Sequence, residues 1–504
     1  STQPNTLFPY TTLFRSGSGQ FGKTVTVLPN GNVVVTDPSY DIPSGAADVG
    51  AVYLYDGETR ALISVLTGST ASDQVGSGGA VGGGVTVLSN GNYLIRSPYW
   101  DNGSAANAGA VTWGSATAGV TGTVSAANSL VGSTANDQVG INAVTELSNG
   151  NYLVRTTSWD NGLASNAGAV TWGDGATGVT GAITVTNSLV GSKTNDNVGG
   201  SGVWALSNGN YIVGSAEWDN GGVTDAGAAT WSNGTTGVTG VVTVTNSLVG
   251  SRAGDYVGNS GIAELSNGNY VVRSTNWANG AATYAGAATW GNGATGITGV
   301  VSVTNSLVGS KANDQVGSNL VRALSNGNYV VSSSNWDNGA ATNAGAATWG
   351  NGMTGVTGVV SVTNSLVGSN ANDYVGNSGI TALSNGNYVV NSPNWANGAA
   401  TSAGAVTWGN GTTGVTGVVS AANSLVGGVA YQGVGGSGIT ALSNGNYVVN
   451  TSYWSNGAAT YAGAVTWGNG TTGVTGVVSA ANSLVGNTAN DRVGSNGVTA
   501  LSNG

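Results

Sequence analysis

Short apolar runs separated by glycine-containing turns are the main pattern along this chain. In the segment that starts at Gly317, residues 320–324 and 329–331 are largely apolar runs of strand length. The Asn326-Gly327 pair between them is typical of a type I′ turn, because both residues tolerate a positive φ. These residues therefore predict a β-hairpin.

The rest of the same segment predicts two more strands. Residues 345–349 form a third strand, residues 350–355 a glycine-rich turn, and residues 358–362 a fourth strand rich in β-branched side chains. Helix is not favoured, since Gly or Asn-Gly interrupts the chain at short intervals and few stretches have a 3.6-residue period. The segment is predicted to be a four-stranded antiparallel meander.

This segment recurs with a period of 59 residues. The glycine of a Ser-Leu-Val-Gly motif marks the period at Gly132, Gly191, Gly250, Gly309, Gly368, Gly427 and Gly486. A second glycine opens each unit, at Gly22, Gly76, Gly140, Gly199, Gly258, Gly317, Gly376, Gly435 and Gly494. Residues 17–504 are therefore an array of eight complete units and the start of a ninth, in which the first two spacings differ, at 54 and 64 residues.

The length of the repeat favours propeller blades over a β-helix. A β-helix coil needs roughly 20–30 residues, and a four-stranded blade needs roughly 40–60. We therefore predict an all-β fold of tandem four-stranded antiparallel blades of about 59 residues, arranged as a β-propeller of about eight blades or as an open propeller-like array. One small glycine-rich sheet cannot bury enough apolar surface alone, so neighbouring units are expected to cover its faces.

The first residues share nothing with the repeat. Residues 6–16 read TLFPYTTLFRS, which one reading frame of a standard sequencing-library adapter encodes. We expect residues 1–16 to be an artefact without a fixed structure, and we exclude them from the fold. At the other end, Leu501-Ser502-Asn503-Gly504 stops inside a repeat, so a longer native protein is expected.

The composition excludes several classes of chemistry. The chain has no Cys and no His, which removes disulfides, thiolate metal sites and the commonest general base. Charged residues make up 6% of the chain, the net charge is −10 and the basic residues are scattered, so neither nucleic acid nor membrane insertion is expected. No Ser or Thr can be paired with a His, and we predict no catalytic residue, no metal site and no cofactor.

The order of motifs within the unit resembles FG-GAP repeats, the propeller blades of integrin α subunits and of many bacterial surface proteins. The first unit carries the resemblance in Gln20-Phe21-Gly22, residues 24–28, Asn30-Gly31-Asn32, residues 33–35, Asp37-Pro38 and residues 50–55. The array is also similar to repeats in long bacterial exoproteins of the filamentous-haemagglutinin kind. The resemblance implies propeller blades in a secreted or cell-surface protein of a bacterium.

One feature of the hairpin turn departs from the FG-GAP pattern. Many FG-GAP blades hold calcium there with several carboxylates, whereas this chain has Ser-Asn-Gly-Asn, as at residues 325–328. Calcium is therefore not expected to be needed for folding.

Two series of Trp recur with the repeat. The series in the third strand is expected to pack between blades, and it comprises Trp113, Trp172, Trp231, Trp290, Trp349, Trp408 and Trp467. The other series begins a polar loop, where a Trp beside Asn and Asp suits stacking on sugar rings; the alternative is a Trp that plugs the loop onto its own blade. The candidate ligand-binding residues of this loop are Trp100, Asp101, Trp159, Asp160, Trp218, Asp219, Trp277, Trp336, Asp337, Trp395 and Trp454.

An acid also recurs shortly before each opening glycine. Its side chain is predicted to form an Asx-turn with backbone N–H groups two residues on, and a cation or ligand site is the alternative. The series comprises Asp73, Asp137, Asp196, Asp255, Asp314, Asp373 and Asp491. Before Gly435 the chain has Tyr431-Gln432-Gly433 instead, so that turn is expected to differ.

These features predict a non-catalytic region of a bacterial surface protein that serves as a spacer or a cell-adhesion scaffold. Its expected partners are host or matrix glycans or surface proteins. The alternative is a multivalent, lectin-like propeller, in which weak identical sites would gain avidity from repetition.

Overall fold

The computed structural model describes residues 20–79 and 83–501. The segment predicted to be an adapter artefact, residues 1–16, lies outside the described residues. The chain divides into two compact units, Ser1–Asp219 with Thr230–Asn246, and Asn220–Ala229 with Ser247–Gly504. We number the repeats one to eight by their opening glycines.

The described residues form β-strands and no helix. The strands of repeats one to four are β1 (Thr24–Val27), β2 (Val33–Asp37), β3 (Ala51–Tyr55), β4 (Leu62–Thr67), β5 (Val85–Val87), β6 (Tyr93–Ser97), β7 (Ala110–Gly114), β8 (Gly122–Thr123), β9 (Ser129–Val131), β10 (Thr145–Glu146), β11 (Tyr152–Thr156), β12 (Ala169–Gly173), β13 (Gly181–Ala182), β14 (Ser188–Val190), β15 (Gly202–Ala205), β16 (Tyr211–Ser215), β17 (Ala228–Ser232), β18 (Gly240–Val241) and β19 (Leu248–Val249). The strands of repeats five to eight are β20 (Ile262–Glu264), β21 (Tyr270–Ser274), β22 (Ala287–Gly291), β23 (Gly299–Val300), β24 (Leu307–Val308), β25 (Leu320–Ala323), β26 (Tyr329–Ser333), β27 (Ala346–Gly350), β28 (Gly358–Val359), β29 (Ser365–Val367), β30 (Ile380–Ala382), β31 (Tyr388–Ser392), β32 (Ala405–Gly409), β33 (Gly417–Val418), β34 (Ser424–Val426), β35 (Ile439–Ala441), β36 (Tyr447–Thr451), β37 (Ala464–Gly468), β38 (Gly476–Val477) and β39 (Leu484–Val485).

Each of the eight repeats forms a separate sheet of four or five strands. In repeat six, the first three strands β25, β26 and β27 are antiparallel neighbours, and Tyr329 of β26 lies opposite Gly350 of β27. Successive side chains of each strand therefore point to opposite faces of the sheet. These three strands confirm the meander predicted for the first part of the repeat.

The turn between the first two strands is not the type I′ turn that Asn-Gly predicted. Gly327 has a φ of 89°, whereas Asn326 is not among the residues with a positive φ. Leu324 N donates to Asn328 O at 2.8 Å, and Gly327 N donates to Leu324 O at 3.1 Å. These bonds close a three-residue loop that ends in a left-handed glycine, which is the pattern of a type I turn with a G1 bulge.

The prediction that residues 358–362 form the fourth strand of the sheet is also wrong, although Gly358–Val359 is a strand. The fourth strand of repeat six is β29, which pairs antiparallel with β27. Strand β28 instead pairs in parallel with β24 of repeat five. After its third strand, a repeat therefore adds a two-residue edge strand to the preceding sheet and then returns as the fourth strand of its own sheet.

This strand donation recurs within both compact units. In the first unit, β8, β13 and β18 pair in parallel with β4, β9 and β14 of the preceding repeat. In the second unit, β23, β28, β33 and β38 pair in the same way with β19, β24, β29 and β34. The sheets that receive a strand are therefore mixed, with a parallel edge on an antiparallel meander.

Repeat one receives a strand but donates none. Strands β3 and β4 form an antiparallel hairpin, and Asp56 N donates to Ala61 O at the turn between them. The corresponding connection in repeat six spans residues 351–364 and contains the donated strand β28. The short connection of repeat one leaves no segment that could reach a preceding sheet.

The hydrophobic core lies in the seams, which we define as the spaces between the sheets of consecutive repeats. In the seam between repeats six and seven, Val330 and Leu366 of one sheet pack with Tyr388 and Trp395 of the next repeat. Four other seams in the two units are filled in the same way. This confirms that neighbouring repeats cover the faces of each sheet.

Within the two units, five third-strand Trp residues cross the seams, as predicted: Trp113, Trp172, Trp290, Trp349 and Trp408. Trp467 of the last sheet is 53% exposed. Trp349 of repeat six packs in the seam, and its Nε1 donates to Gly411 O of repeat seven at 3.0 Å. Nδ2 atoms of Asn326 and Asn328, from the hairpin turn of repeat six, donate to the same oxygen at 2.9 and 2.8 Å. We call these three donors on one carbonyl oxygen the carbonyl clamp. It recurs at Gly175, Gly234, Gly352 and Gly470.

A glycine of the next repeat lies directly on the clamping Trp. Gly414 has a φ of 78°, and a Cβ at this position would be 2.7 Å from Cβ of Trp349. Gly417 has a φ of 97°, but a Cβ there would have no atom within 4 Å. The two glycines therefore share a left-handed backbone and differ in the space around them.

We expect Gly414→Ala to destabilise the seam between repeats six and seven more than Gly417→Ala does. Both substitutions strain the backbone by about 1–2 kcal/mol, and only the first also forces Trp349 to move, at a further cost of about 1–3 kcal/mol. Hydrogen exchange of the amides in β29 and β33 measures the difference. Equal effects of the two substitutions would contradict the assigned Trp–Gly contact.

Candidate functional site

The Trp residues of the candidate ligand loop are buried. All seven, Trp100, Trp159, Trp218, Trp277, Trp336, Trp395 and Trp454, are 3–5% exposed. Within the described residues, Nε1 of the first six donates no hydrogen bond. A sugar ring cannot reach a covered indole, so the stacking site predicted from the sequence is wrong for these Trp residues. Five of them plug the loop into the seam with the preceding sheet, namely Trp100, Trp159, Trp336, Trp395 and Trp454.

The acids that follow these Trp residues shape the loop itself. Oδ1 of Asp337 accepts the backbone N–H of the residue six positions on at 2.8 Å, and Asp101 and Asp160 do the same at 2.7 and 2.8 Å. Asp219 lies 3.9 Å from Nζ of Lys193. The structure therefore places these carboxylates beside partners from their own repeat or its preceding turn, and it does not bring them together with an exposed Trp.

A buried aspartate joins six of the seven Trp loops to the preceding turn. Oδ2 of Asp314 accepts the N–H groups of Ser310 and Lys311 at 2.8 Å, and its Oδ1 accepts the N–H of Asp337 at 3.0 Å. Burial raises the pKa of Asp314, and hydrogen bonds from these N–H groups oppose the rise. The same three bonds occur at Asp73, Asp137, Asp196, Asp255 and Asp373.

This geometry corrects the predicted Asx-turn. The carboxylate accepts N–H groups three and four residues before it, and one from the next repeat, whereas an Asx-turn would use an N–H two residues after it. The acid is a structural anchor between two repeats.

Gln432 occupies the position of the aspartate before Gly435 and keeps the turn. Its Oε1 accepts the N–H groups three and four residues before it, at 3.2 and 2.7 Å, and its Nε2 donates to Ser455 O at 3.3 Å. Tyr431 and Gly433 have positive φ values of 63° and 54°, as their counterparts in other repeats do. The expectation of a different turn is wrong, because an amide oxygen replaces the carboxylate at two of the three donors.

Exposed tyrosines lie at the end of the sheets that carries these loops and turns. We define the loop edge as residues 334–345 and 368–375 of repeat six and their equivalents. In repeat eight, Tyr453 and Tyr461 are 51% and 45% exposed, and their rings meet edge to face at 5.8 Å. The guanidinium of Arg492 lies 5.8 and 5.9 Å from the two ring centres. This cluster is the accessible aromatic surface that the buried Trp residues do not provide.

Sequence reasoning missed these tyrosines because it followed the residues that repeats share. The signal that could have found them is variation, because the positions of these tyrosines hold different residues in otherwise near-identical repeats. The counterparts of Tyr461 in repeats five to seven are Tyr284, Asn343 and Ser402.

A cavity of about 510 Å³ in the second unit carries no acid or base. Ends of the first strands and the residues after them line it, with Ala323, Leu324 and Ser325, their equivalents in repeats seven and eight, and Ser266. In residues 20–79 and 83–501, no three Asp or Glu side chains lie together as metal ligands. No helix in this part of the chain is long and apolar enough to cross a membrane.

We expect Asp314→Ala to destabilise the junction of repeats five and six by about 3 kcal/mol, because three backbone N–H groups lose the buried carboxylate that accepts their hydrogen bonds. Asp314→Gln is the matched control, since Gln432 shows that an amide keeps two of these bonds. Native-state hydrogen exchange of residues 310–314 and 337 resolves the local effect. A glutamine variant as unstable as the alanine variant would contradict this account.

No curated protein matches the chain. Among solved structures, a eukaryotic initiation factor is similar over 80% of this chain and 88% of its own, with 9% identity and a TM-score of 0.28. An ulvan lyase from a polysaccharide lyase family covers 73% and 89%, with 10% identity and a TM-score of 0.26. A dihydro-haem d1 dehydrogenase covers 88% and 74%, with 10% identity and a TM-score of 0.28. Likenesses at these TM-scores support no statement about the fold or function of this chain.

One repeat family matches almost the whole length of the chain. It is described as a repeat of unknown function, DUF5650, and it matches residues 27–77, 87–141, 146–200, 205–259, 264–318, 323–377, 382–436 and 441–495. The eight matches confirm the eight complete repeats predicted from the period, and no FG-GAP or filamentous-haemagglutinin family accompanies them. The chain therefore belongs to the DUF5650 repeat family.

Proposed function

We propose that this chain is a non-catalytic region of a bacterial surface protein that acts as a spacer or a cell-adhesion scaffold. The observation that carries the proposal is the donation of a strand from each of repeats two to eight to the sheet before it, as β33 to β29. Separating two repeats would break this parallel pairing, the carbonyl clamp and the apolar seam together. Such a junction transmits tension along the array, which is what a spacer needs.

The use of the polar residues supports a scaffold over an enzyme. The recurrent acids are occupied by backbone N–H groups, as Asp314 is, and the hairpin Asn residues are occupied by the carbonyl of the next repeat. General acid–base catalysis needs a titratable group within reach of a bound substrate. These acids instead satisfy the buried backbone.

We also propose that the sheets are blades of an open, propeller-like array. Face-to-face packing of consecutive sheets around shared seams supports blades of the FG-GAP type.

A chain that lacks residues 317–375 has one repeat fewer and keeps every junction type. We expect it to fold and to have a shorter maximum dimension by small-angle scattering, because an open array shortens by one blade. On the cell surface, a tag at the far end of the shortened array would be less accessible to a large antibody. An unchanged dimension and unchanged accessibility would contradict the spacer function.

Multivalent carbohydrate binding is the second candidate, and the exposed tyrosines of the loop edge favour it. Tyr453 and Tyr461 offer ring faces for sugar stacking, and Arg492 beside them could bind hydroxyl or carboxylate oxygens. The aromatic residues of this site are Tyr, in place of the Trp residues predicted from the sequence.

We expect the double variant Tyr453→Ser and Tyr461→Ser to lose binding on a glycan array while its thermal unfolding stays unchanged. Met353→Ala is the matched control, because Met353 is exposed in a turn at the opposite end of the strands. Glycan binding that survives the double variant, or is absent from the native chain, would exclude this second function.

A further inference from the structure

The sheet of repeat eight has an outer face that no described residue covers. This sheet consists of β35, β36, β37 and β39, without a donated fifth strand. Leu484 in β39 is 71% exposed, whereas its counterpart Leu425 is 0% exposed. Val448 and Val465 on the same face are partly exposed, and their counterparts in repeat seven are buried.

The polar half of a carbonyl clamp is also present on this face. In repeat seven, Asn385 and Asn387 with Trp408 donate to Gly470 O at 2.9, 2.8 and 2.9 Å. The equivalent donors of repeat eight are Nδ2 of Asn444 and Asn446 and Nε1 of Trp467. Within the described residues these three groups meet no acceptor, so the face combines exposed apolar side chains with three unpaired donors.

A second copy of this chain has no free strand to offer to this face. Within the described residues, all donated strands, β8, β13, β18, β23, β28, β33 and β38, already pair with the preceding repeat. Repeat one has the short hairpin of β3 and β4 and no donor segment. The interface therefore has a polarity, in which a sheet can be extended only by a repeat whose own donor segment is free.

We propose that the outer face of repeat eight binds a further DUF5650-type repeat, and that the donor segment of that repeat is the recognised element. The donor segments already present in the array define the sequence that such a partner needs. In residues 411–419 this sequence is Gly-Thr-Thr-Gly-Val-Thr-Gly-Val-Val. The carbonyl of its first glycine accepts from Asn444, Asn446 and Trp467. Its second glycine lies on the ring of Trp467.

The remaining contacts of the donor segment follow from the seam between repeats six and seven. The last glycine and the valine after it pair in parallel with Leu484 and Val485, as Gly417 and Val418 pair with β29. The second valine fills the apolar seam, as Val419 does. The segment is uncharged, so recognition depends on shape, strand pairing and the clamp.

The decisive test places the partner in the same chain. A copy of residues 376–434 is appended after Val493, which keeps the peptide around β39 distinguishable by mass from that of β34. We expect amide exchange at Leu484 and Val485 to slow about 10-fold or more relative to the native chain, toward the rate in β34. Exchange at the native rate in the extended chain would overturn the proposal.

A second test uses the native chain and a peptide of residues 410–420. We expect the peptide to protect β39 from exchange and to shield Trp467 from iodide quenching in a saturable way. The control peptide carries leucine at Gly414, where a Cβ would collide with the Trp, and it should bind about 10-fold more weakly or not at all. Trp467→Ala should reduce capture of the native peptide by a similar factor.

Two results would contradict the assigned occupant. Equal capture of the two peptides would show that the Trp–Gly contact is not recognised. Concentration-dependent self-association of the native chain, with the same protection of β39 and no peptide, would show that a second copy covers the face. Met353→Ala, in an exposed turn of repeat six, is the control variant that should leave both tests unchanged.

Discussion

Repeats one to seven do not complete their own sheets. The parallel edge strand comes from the following repeat, and the apolar faces are covered only when two sheets meet. The following repeat supplies both the edge strand and the cover for the apolar face. Strand pairing, apolar packing and hydrogen bonding therefore form together in one seam. Repeat one shows the limit of the rule, since its short hairpin receives a strand and has none to give.

The seam explains how a chain with 6% charged residues satisfies its buried polar groups. Neutral Asn side chains and an indole N–H converge on one carbonyl oxygen, and a buried aspartate accepts three backbone N–H groups that would otherwise lack partners. Each anchor joins two repeats. Gln432 shows that the anchor requires an acceptor oxygen of the right reach, and that a charge is not essential.

Residues that hold the repeats together and residues that are available for recognition lie in different parts of the repeat. Within the two units, Trp residues from the third strand and from the polar loop pack in the seams, where their large apolar area stabilises the junction. The loop edge includes positions that differ between repeats, with Tyr, Asn, Ser and Arg side chains held on a uniform framework. A structural spacer with a variable edge is consistent with both proposed roles, because rigidity comes from the seams and any recognition comes from the edge.

The sequence alone determined the repeat length, the number of repeats, the all-β character and three of the strands in each repeat, because these follow from local spacing and turn chemistry. It also placed the third-strand Trp residues between sheets. It could not place the fourth strand, since residues 358–359 and 365–367 are both short and apolar and only pairing partners in space distinguish them. The turn type was misjudged for a related reason: Asn326 and Asn328 have their amides occupied by Gly411 of the next repeat, and that distant acceptor is invisible in a local motif. Tertiary structure likewise decided that Trp336 and its equivalents are buried, because a polar loop looks the same in sequence whether its aromatic residue points to solvent or into a seam.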